Sequence, residues 1–207
     1  MEEDIFYDII AVGEDVPDLC FDAYVPGSRD FEKITFSEIL DEGKWIILVF
    51  YPADFTFVCP TELADIGEKY DEFKEAGAEV ISMSTDTQFV HYAWQKQEEL
   101  LKDVKFPMGA DPTHEISEIF GVYDEEKGLA LRGTFLIDPD GKLVSSEINY
   151  YNVGRSSEEL MRRFKAFCHV RKNKGAVCPA KWEPGKATLT EDMESIGNIS
   201  ERLKSGA

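Results

Sequence analysis

The sequence predicts an α/β sandwich, with a mixed central sheet, helices on both faces and a C-terminal arm. Three observations predict this fold class. Short apolar runs bounded by turn residues recur along the chain, as expected of strands. Segments with a helical apolar stripe separate the first of these runs from the next ones. The turn sequence DPDG joins the last two runs. Strands that alternate with helices favour parallel pairing, whereas a tight turn between strands requires antiparallel pairing.

Four apolar runs are predicted to be strands. They are residues 45–51 (WIILVFY), 78–84 (AEVISMS), 134–137 (TFLI) and 143–148 (LVSSEI). The DPDG sequence at residues 138–141 combines aspartate, proline and glycine, which are typical of tight turns. It therefore indicates a hairpin between the third and fourth strands.

Helical periodicity follows the first strand. Beyond Cys59, apolar residues recur at steps of three and four, and Gly77 is placed to end the pattern. The stripe consists of Leu63, Ile66, Tyr70 and Phe73. We therefore predict one helix between the first two strands.

Three further helices are predicted from their start signals. Asp86 is expected to cap a helix that runs to about residue 101, and the Asp111-Pro112 pair to begin a short one. Ser156 and Glu159 have the spacing of a capping box and open the last helix, with Leu160, Phe164 and Phe167 on its inner face.

This order of elements is that of a thioredoxin-like sandwich. No linker or repeat interrupts the chain before about residue 171, so we predict one domain over residues 1–170. Residues 171–207 are too poor in apolar residues to build a core of their own. We expect them to form an arm that packs on something else, such as another copy of the chain.

Composition and charge exclude several classes of function. The chain has 207 residues, of which 43% are hydrophobic and 30% charged, as in a soluble globular protein. Its net charge of −19 opposes binding to nucleic acid or to anionic membranes. The acidic N-terminus has no basic segment followed by an apolar one, and no stretch is long enough to span a membrane, so we expect a cytoplasmic protein.

The cysteines and histidines do not form a metal-binding pattern. Cys20, Cys59, Cys168 and Cys178 lie far apart without a CxxC motif, so we expect neither a zinc site nor a disulfide scaffold. Cys20 is predicted to be a buried strand residue and Cys168 a buried helix residue. The remaining candidates, His91, His114 and His169, have no carboxylate or cysteine at a suitable spacing, and we expect surface or capping roles for them.

Cys59 lies where a strand gives way to a helix. Pro60 is suited to the first helical position, which would place the sulfur at the helix N-terminus, where unpaired N–H groups and the dipole favour a thiolate. The position of a second cysteine in a CxxC enzyme is occupied by Glu62, so a disulfide partner must come from elsewhere. An inert buried cysteine is the alternative, and the surroundings of Cys59 alone leave both interpretations open.

Residues before Cys59 suit a reactive pocket. Thr56 offers a hydroxyl as donor and acceptor, and Pro52 has no N–H and shields the sulfur from water. Phe55 and Phe57 are expected to make the walls apolar.

The motif P-x-x-x-T-x-x-C formed by Pro52, Thr56 and Cys59 resembles the active-site signature of the peroxiredoxins. Further matches lie downstream. Arg132 in LRGTFLIDPDG stands where the family has its active-site arginine, and Glu62 with Arg155 matches the pair that braces the cysteine loop. The sequence VCPAKW resembles the segment with the resolving cysteine, here Cys178. The chain is most similar to typical two-cysteine peroxiredoxins of the bacterial alkyl hydroperoxide reductase C branch.

The resemblance implies a thiol-dependent peroxidase without a metal or organic cofactor. It implies that Cys59 attacks hydrogen peroxide or an organic hydroperoxide and becomes a sulfenic acid, with Arg132 and Thr56 assisting. Cys178 of a second subunit would then form a disulfide with Cys59, and an external dithiol, either thioredoxin or a flavoprotein disulfide reductase, would reduce it. A homodimer is implied, and commonly a decameric ring of five dimers.

Two other functions stay open at this point. A ring-forming chaperone or peroxide-signalling scaffold could use the cysteine as a switch, with turnover incidental. A general thiol–disulfide oxidoreductase is less favoured because the CxxC motif is absent.

Overall fold

The computed structural model describes residues 9–205, so the acidic segment at residues 1–8 lies outside the described part. Contacts divide the chain into two compact units, the first ending at Arg155 and the second beginning at Ser156. A seven-stranded sheet forms the centre of the first unit. In the described part of the chain, no helix combines the length and the apolar character needed to cross a membrane.

The predicted mixed sheet is confirmed. Its strands are β1 (Cys20–Val25), β2 (Asp30–Thr35), β3 (Trp45–Phe50), β4 (Ala78–Ser84), β5 (Met108–Ala110), β8 (Arg132–Ile137) and β9 (Leu143–Asn149), and a separate hairpin is formed by β6 (Tyr123–Asp124) and β7 (Leu129–Ala130). The order across the sheet is β2-β1-β5-β4-β3-β8-β9. Strand β4 pairs in parallel with β3 and β5, and the remaining neighbours are antiparallel.

The helices of the first unit follow the predicted order with differences in detail, except that the first of them was not predicted. They are α1 (Phe36–Asp41), α2 (Cys59–Glu68), α3 (Tyr70–Glu75), α4 (Gln88–Gln97) and α5 (Glu115–Ile119), with a 3-10 helix at Glu99–Leu101. The single helix predicted after Cys59 is two helices, because the chain leaves helical geometry at Lys69 (φ −104°, ψ 2°). The apolar stripe predicted for this segment is buried. Gly77, with φ of +92°, follows the end of α3, where it was predicted to end the helix.

Helices lie on both faces of the sheet. All six residues of β3 are buried, as expected for a strand covered on both sides. Its residues Ile46, Leu48 and Phe50 belong to a core cluster that also contains residues of α1 and α5. Because side chains alternate along a strand, Tyr51 points to the opposite face, where its ring packs 5.9 Å from that of Trp94 in α4.

The predicted hairpin is confirmed between β8 and β9. The N–H of Gly141 donates to the carbonyl oxygen of Asp138 at 2.9 Å, and the φ of Gly141 is +83°. The sequence prediction missed β2 and β5. Strand β2 is mostly polar and exposed, and β5 has only three residues, so neither shows a clear apolar period.

Two predictions of burial and capping are wrong. Cys20 is exposed at the start of β1, because the alternation of this strand buries Phe21 and Ala23 instead. Asp86 does not cap α4: its carboxylate accepts hydrogen bonds from the hydroxyl of Ser84 at 3.0 Å and from the backbone N–H of Asp54 at 2.8 Å. Ser84 is a local donor, but Asp54 lies 32 residues away in sequence and is brought to Asp86 only by tertiary folding.

Two other predicted helix starts are close to the observed ones. The carboxylate of Asp111 accepts hydrogen bonds from the backbone N–H groups of Ile116 and Ser117. It therefore provides acceptors for N–H groups in the first turn of α5. The last predicted helix begins directly after Ser156, although the Ser156 side chain makes no capping hydrogen bond.

The second unit comprises the last long helix and the tail. Its elements are α6 (Ser157–Lys172), β10 (Ala176–Val177), β11 (Leu189–Thr190), a 3-10 helix at Met193–Ser195 and α7 (Ile199–Ser205). The indole of Trp182 is buried, its N–H donates to the carbonyl of Lys186 at 3.1 Å, and Arg162 of α6 donates to the Trp182 carbonyl. The tail is thus packed with α6, while the predicted division into a domain over residues 1–170 and an arm over residues 171–207 stays a prediction.

Candidate active site

Cys59 lies at the N-terminus of α2, as predicted, although Cys59 itself is the first helical residue and Pro60 the second. The side chain is buried, yet it contributes to the lining of an open pocket. The N–H groups of the first helical turn and the helix dipole therefore favour negative charge at this sulfur.

Arg132 binds the sulfur directly. It begins β8, which pairs with the buried strand β3, and the residue is only 3% exposed. Its Nη1 donates to Sγ of Cys59 at 3.4 Å, while Nε donates to the carbonyl oxygen of Tyr151 at 2.8 Å. The two hydrogen bonds orient the guanidinium so that it faces the sulfur.

Glu62 joins the two arginines. It lies one turn after Cys59 on α2 and is buried. One carboxylate oxygen accepts a hydrogen bond from Nη1 of Arg132, and the other accepts from Nε of Arg155 at 2.8 Å and from its backbone N–H at 2.9 Å. Arg155 also donates to the carbonyl of Gly133 at 2.7 Å. The predicted association of Glu62 with Arg155 is therefore present, and it extends to Arg132.

The charges of this cluster do not balance when Cys59 is a thiol. Two buried guanidinium groups face one buried carboxylate, which leaves one positive charge. A thiolate at Cys59 balances it, and a balanced cluster is favoured where water is excluded. This arrangement supports a reactive sulfur rather than an inert core residue.

Thr56 and Pro52 both line the pocket with Cys59. The hydroxyl of Thr56 donates to the carbonyl of Ala53 at 2.7 Å, so its oxygen can still accept a hydrogen bond from a ligand in the pocket. Pro52 is buried. Phe57 lines the pocket as expected, whereas Phe55 does not and instead contacts Trp94 at 6.3 Å between ring centroids.

A buried network holds the loop that precedes Cys59. The carboxylate of Asp54 accepts from the hydroxyl of Tyr51 at 2.7 Å and lies 2.8 Å from Nδ1 of His91, whose Nε2 lies 3.0 Å from the Gly109 carbonyl. Burial raises the pKa of Asp54, with His91 opposing the shift. The prediction of a surface or capping role for His91 is wrong, because its partners are 37 and 18 residues away in sequence.

The pocket also contains residues that the sequence did not indicate. Its far side is formed by Lys127 from the β6–β7 hairpin and by Tyr150 and Tyr151, which follow β9. Neither their spacing nor their type distinguishes them from surface residues. The pairing of β8 with β9, in which Arg132 lies opposite Asn149, brings the two tyrosines to the pocket, and Lys127 contacts their rings from the β6–β7 hairpin.

Cys178 lies in the second unit, next to β10. Its Sγ is 3.8 Å from the carbonyl oxygen of Ala166 in α6, and burial raises the pKa of its thiol. All four cysteines are free, and Cys168 is half-buried with a pKa raised to about 11 by burial. The pairing of Cys178 with Cys59 stays a prediction.

Comparison with known proteins gives consistent matches over both units. Residues 12–146 match the AhpC/TSA family, and residues 166–201 match the C-terminal domain of 1-Cys peroxiredoxin. The alkyl hydroperoxide reductase C proteins of Amphibacillus xylanus and Bacillus subtilis are each 46% identical over 188 residues, which is 91% of this chain and 98% of theirs.

Solved structures agree with these matches. Enterococcus faecalis AhpC superposes with a TM-score of 0.76 at 42% identity and covers 81% of this chain and 98% of its own. The reduced 2-Cys peroxiredoxin of Plasmodium vivax gives a TM-score of 0.86 at 30% identity, with 92% and 98% of the two chains covered.

Proposed function

Because the chain belongs to the AhpC/TSA family of peroxiredoxins, which are thiol-dependent peroxidases, we propose that Cys59 is the residue that reacts with peroxide. The observation that carries this proposal is the charge of the buried cluster. Arg132 donates to the Cys59 sulfur, and the two arginines with Glu62 leave one positive charge that a thiolate balances.

The first step oxidises the sulfur. The Cys59 thiolate donates an electron pair to the terminal oxygen of the hydroperoxide, an S–O bond forms as the O–O bond breaks, and the alkoxide leaves and takes a proton from water. The products are a sulfenic acid and an alcohol, or water when the substrate is hydrogen peroxide. Arg132 stabilises the charge on the leaving oxygen, and Thr56 orients the substrate.

The second step uses Cys178. Its thiolate attacks the sulfenic sulfur of Cys59 in a partner subunit, an S–S bond forms, and the departing hydroxide becomes water. A homodimer is therefore part of this proposal, and five dimers in a ring are the assembly proposed for it. An external dithiol, from thioredoxin or a flavoprotein disulfide reductase, then reduces the disulfide with two electrons and two protons.

Opening of the first turn of α2 is part of the cycle in this proposal. The Cys59 side chain is buried, and a disulfide requires Cα atoms within about 7 Å of each other. Glu62 holds that turn through Arg132 and Arg155, so the cluster sets how readily it unwinds.

Treatment with one equivalent of hydrogen peroxide tests the assignment. We expect wild type to run as a disulfide-linked dimer on a non-reducing gel, and Cys178→Ser to stay monomeric with one added oxygen on the peptide containing Cys59. The matched control Cys168→Ser should behave as wild type. Equal dimer yield from Cys178→Ser would overturn the second step, and chaperone activity without rapid peroxide turnover would favour the scaffold instead.

Disulfide formation should accelerate with pH. Burial raises the pKa of Cys178, so the attacking thiolate is a minor form at neutral pH, and its fraction grows about tenfold per pH unit below the pKa. We expect the rate of disulfide formation from preformed sulfenic acid to rise between about pH 6.5 and 8.5. Rapid quenching at several pH values, followed by non-reducing gels, measures this rate. A flat profile would show that thiolate formation by Cys178 does not limit the step.

A further inference from the structure

The pocket above Cys59 is much larger than hydrogen peroxide requires. Its volume is about 410 Å³, whereas one water molecule occupies about 30 Å³ in the liquid. Most of its lining is apolar, from Pro52, Phe57, Val58, Leu129 and the two tyrosine rings. These dimensions suit an organic hydroperoxide whose carbon chain lies against the walls.

Lys127 is held at this pocket by aromatic rings. Its ammonium lies 4.0 Å from the centroid of the Tyr151 ring and 4.9 Å from that of Tyr150, and it donates to the Tyr150 hydroxyl at 3.0 Å. The hairpin that carries it is closed by hydrogen bonds to the Asp124 carbonyl from the N–H groups of Lys127 at 3.1 Å and Gly128 at 2.8 Å. These contacts position the ammonium at the pocket, although the side chain is partly exposed.

The ammonium keeps the capacity to bind an anion. A lysine has three N–H donors, and Tyr150 uses one of them. The only carboxylate within reach in the described residues is Asp124, at 3.4 Å, and its nearer oxygen already accepts a shorter hydrogen bond of 2.7 Å from Tyr151. The contact between Lys127 and Asp124 is therefore weak enough for a better-placed acceptor to compete.

Of the two cationic side chains that line the pocket in the described residues, Lys127 is the one that does not donate to the Cys59 sulfur. Among the described residues, the lining contains two cations, Lys127 and Arg132, and no carboxylate. Arg132 is occupied by Cys59, Glu62 and the Tyr151 carbonyl. An anionic group on a substrate would therefore meet Lys127 with no carboxylate in the described pocket lining to repel it, because the negative charge of the Cys59 thiolate is paired with Arg132.

We propose that Lys127 makes the pocket selective for organic hydroperoxides that carry a carboxylate, with the carbon chain against the apolar walls and the carboxylate on the ammonium. This inference rests on the proposed function of Cys59, because the hydroperoxide group must reach that sulfur.

A pair of substrates tests the inference. The rate constant for oxidation of reduced protein is measured with a medium-chain hydroperoxy acid and with its methyl ester, and the acid-to-ester ratio is taken within each variant so that general losses of activity cancel. We expect wild type to prefer the acid by about threefold to tenfold, the range of a partly exposed charged contact. The ratio should fall to about one in Lys127→Met, persist in Lys127→Arg, and decrease as salt is added.

Lys142→Met is the matched control. Lys142 has a side-chain exposure of 45%, against 42% for Lys127, and also pairs with an aspartate, Asp15, but it does not line the pocket. It should keep the wild-type ratio. A ratio near one in wild type, an unchanged ratio in Lys127→Met, or an equal loss in Lys142→Met would overturn the inference. Slow consumption of hydrogen peroxide by wild type would instead refute the proposed function.

Discussion

We expect Cys59→Ser to abolish the reduction of hydroperoxides and to leave only the background rate of the reductant mixture. A serine hydroxyl stays protonated at neutral pH, so the positive charge left by Arg132, Arg155 and Glu62 has no nucleophile to activate. No other described cysteine has an equivalent environment. The thiols of Cys168 and Cys178 have raised pKa values, and Cys20 is exposed on β1 with the Thr35 hydroxyl beside its sulfur.

The measurement is peroxide consumption with a dithiol reductant in excess. Cys168→Ser is the matched control, because it removes a half-buried cysteine outside the proposed mechanism, and it should retain the wild-type rate. Appreciable turnover by Cys59→Ser would mean that another thiol performs the reaction, and the assignment would have to be abandoned.

Glu62→Gln should destabilise the protein by about 3–5 kcal/mol, because it leaves two buried guanidinium groups with only the Cys59 thiolate as a counter-charge. The side chain keeps its size, so the loss reflects charge rather than packing. For a chain of this length, such a loss lowers the melting temperature by roughly 6–20 °C. Thermal unfolding monitored by circular dichroism measures the shift.

Two controls separate this effect from a general loss of surface charge. Glu99→Gln removes an exposed carboxylate that pairs with Lys102 and should leave the melting temperature essentially unchanged. The double variant Glu62→Gln/Arg155→Met should lose less stability than the sum of the losses in the two single variants. The reason is that a buried arginine without its carboxylate partner is itself destabilising, so removing it offsets part of the loss. Additive costs would show that the two side chains do not act as one cluster.

Much of the architecture could be predicted from local sequence. The buried strands β3 and β4, the hairpin at residues 138–141 and the position of Cys59 at a helix start depend on residues that are neighbours in the chain. Periodicity, a turn sequence and a proline are enough to indicate them. Polar or very short strands such as β2 and β5 lack these signals, and they form because a neighbouring strand offers hydrogen-bond partners.

The sequence by itself determined the fold class, the family resemblance and the cysteine at the helix N-terminus, because these follow from patterns within short segments. Only the tertiary structure decided that Arg132 contacts the sulfur, that Glu62 binds both arginines, that His91 is buried against Asp54, and that Lys127 reaches the pocket. These contacts join residues from different strands, helices and loops. Their energies depend on distance and burial in the folded protein, neither of which a linear spacing specifies.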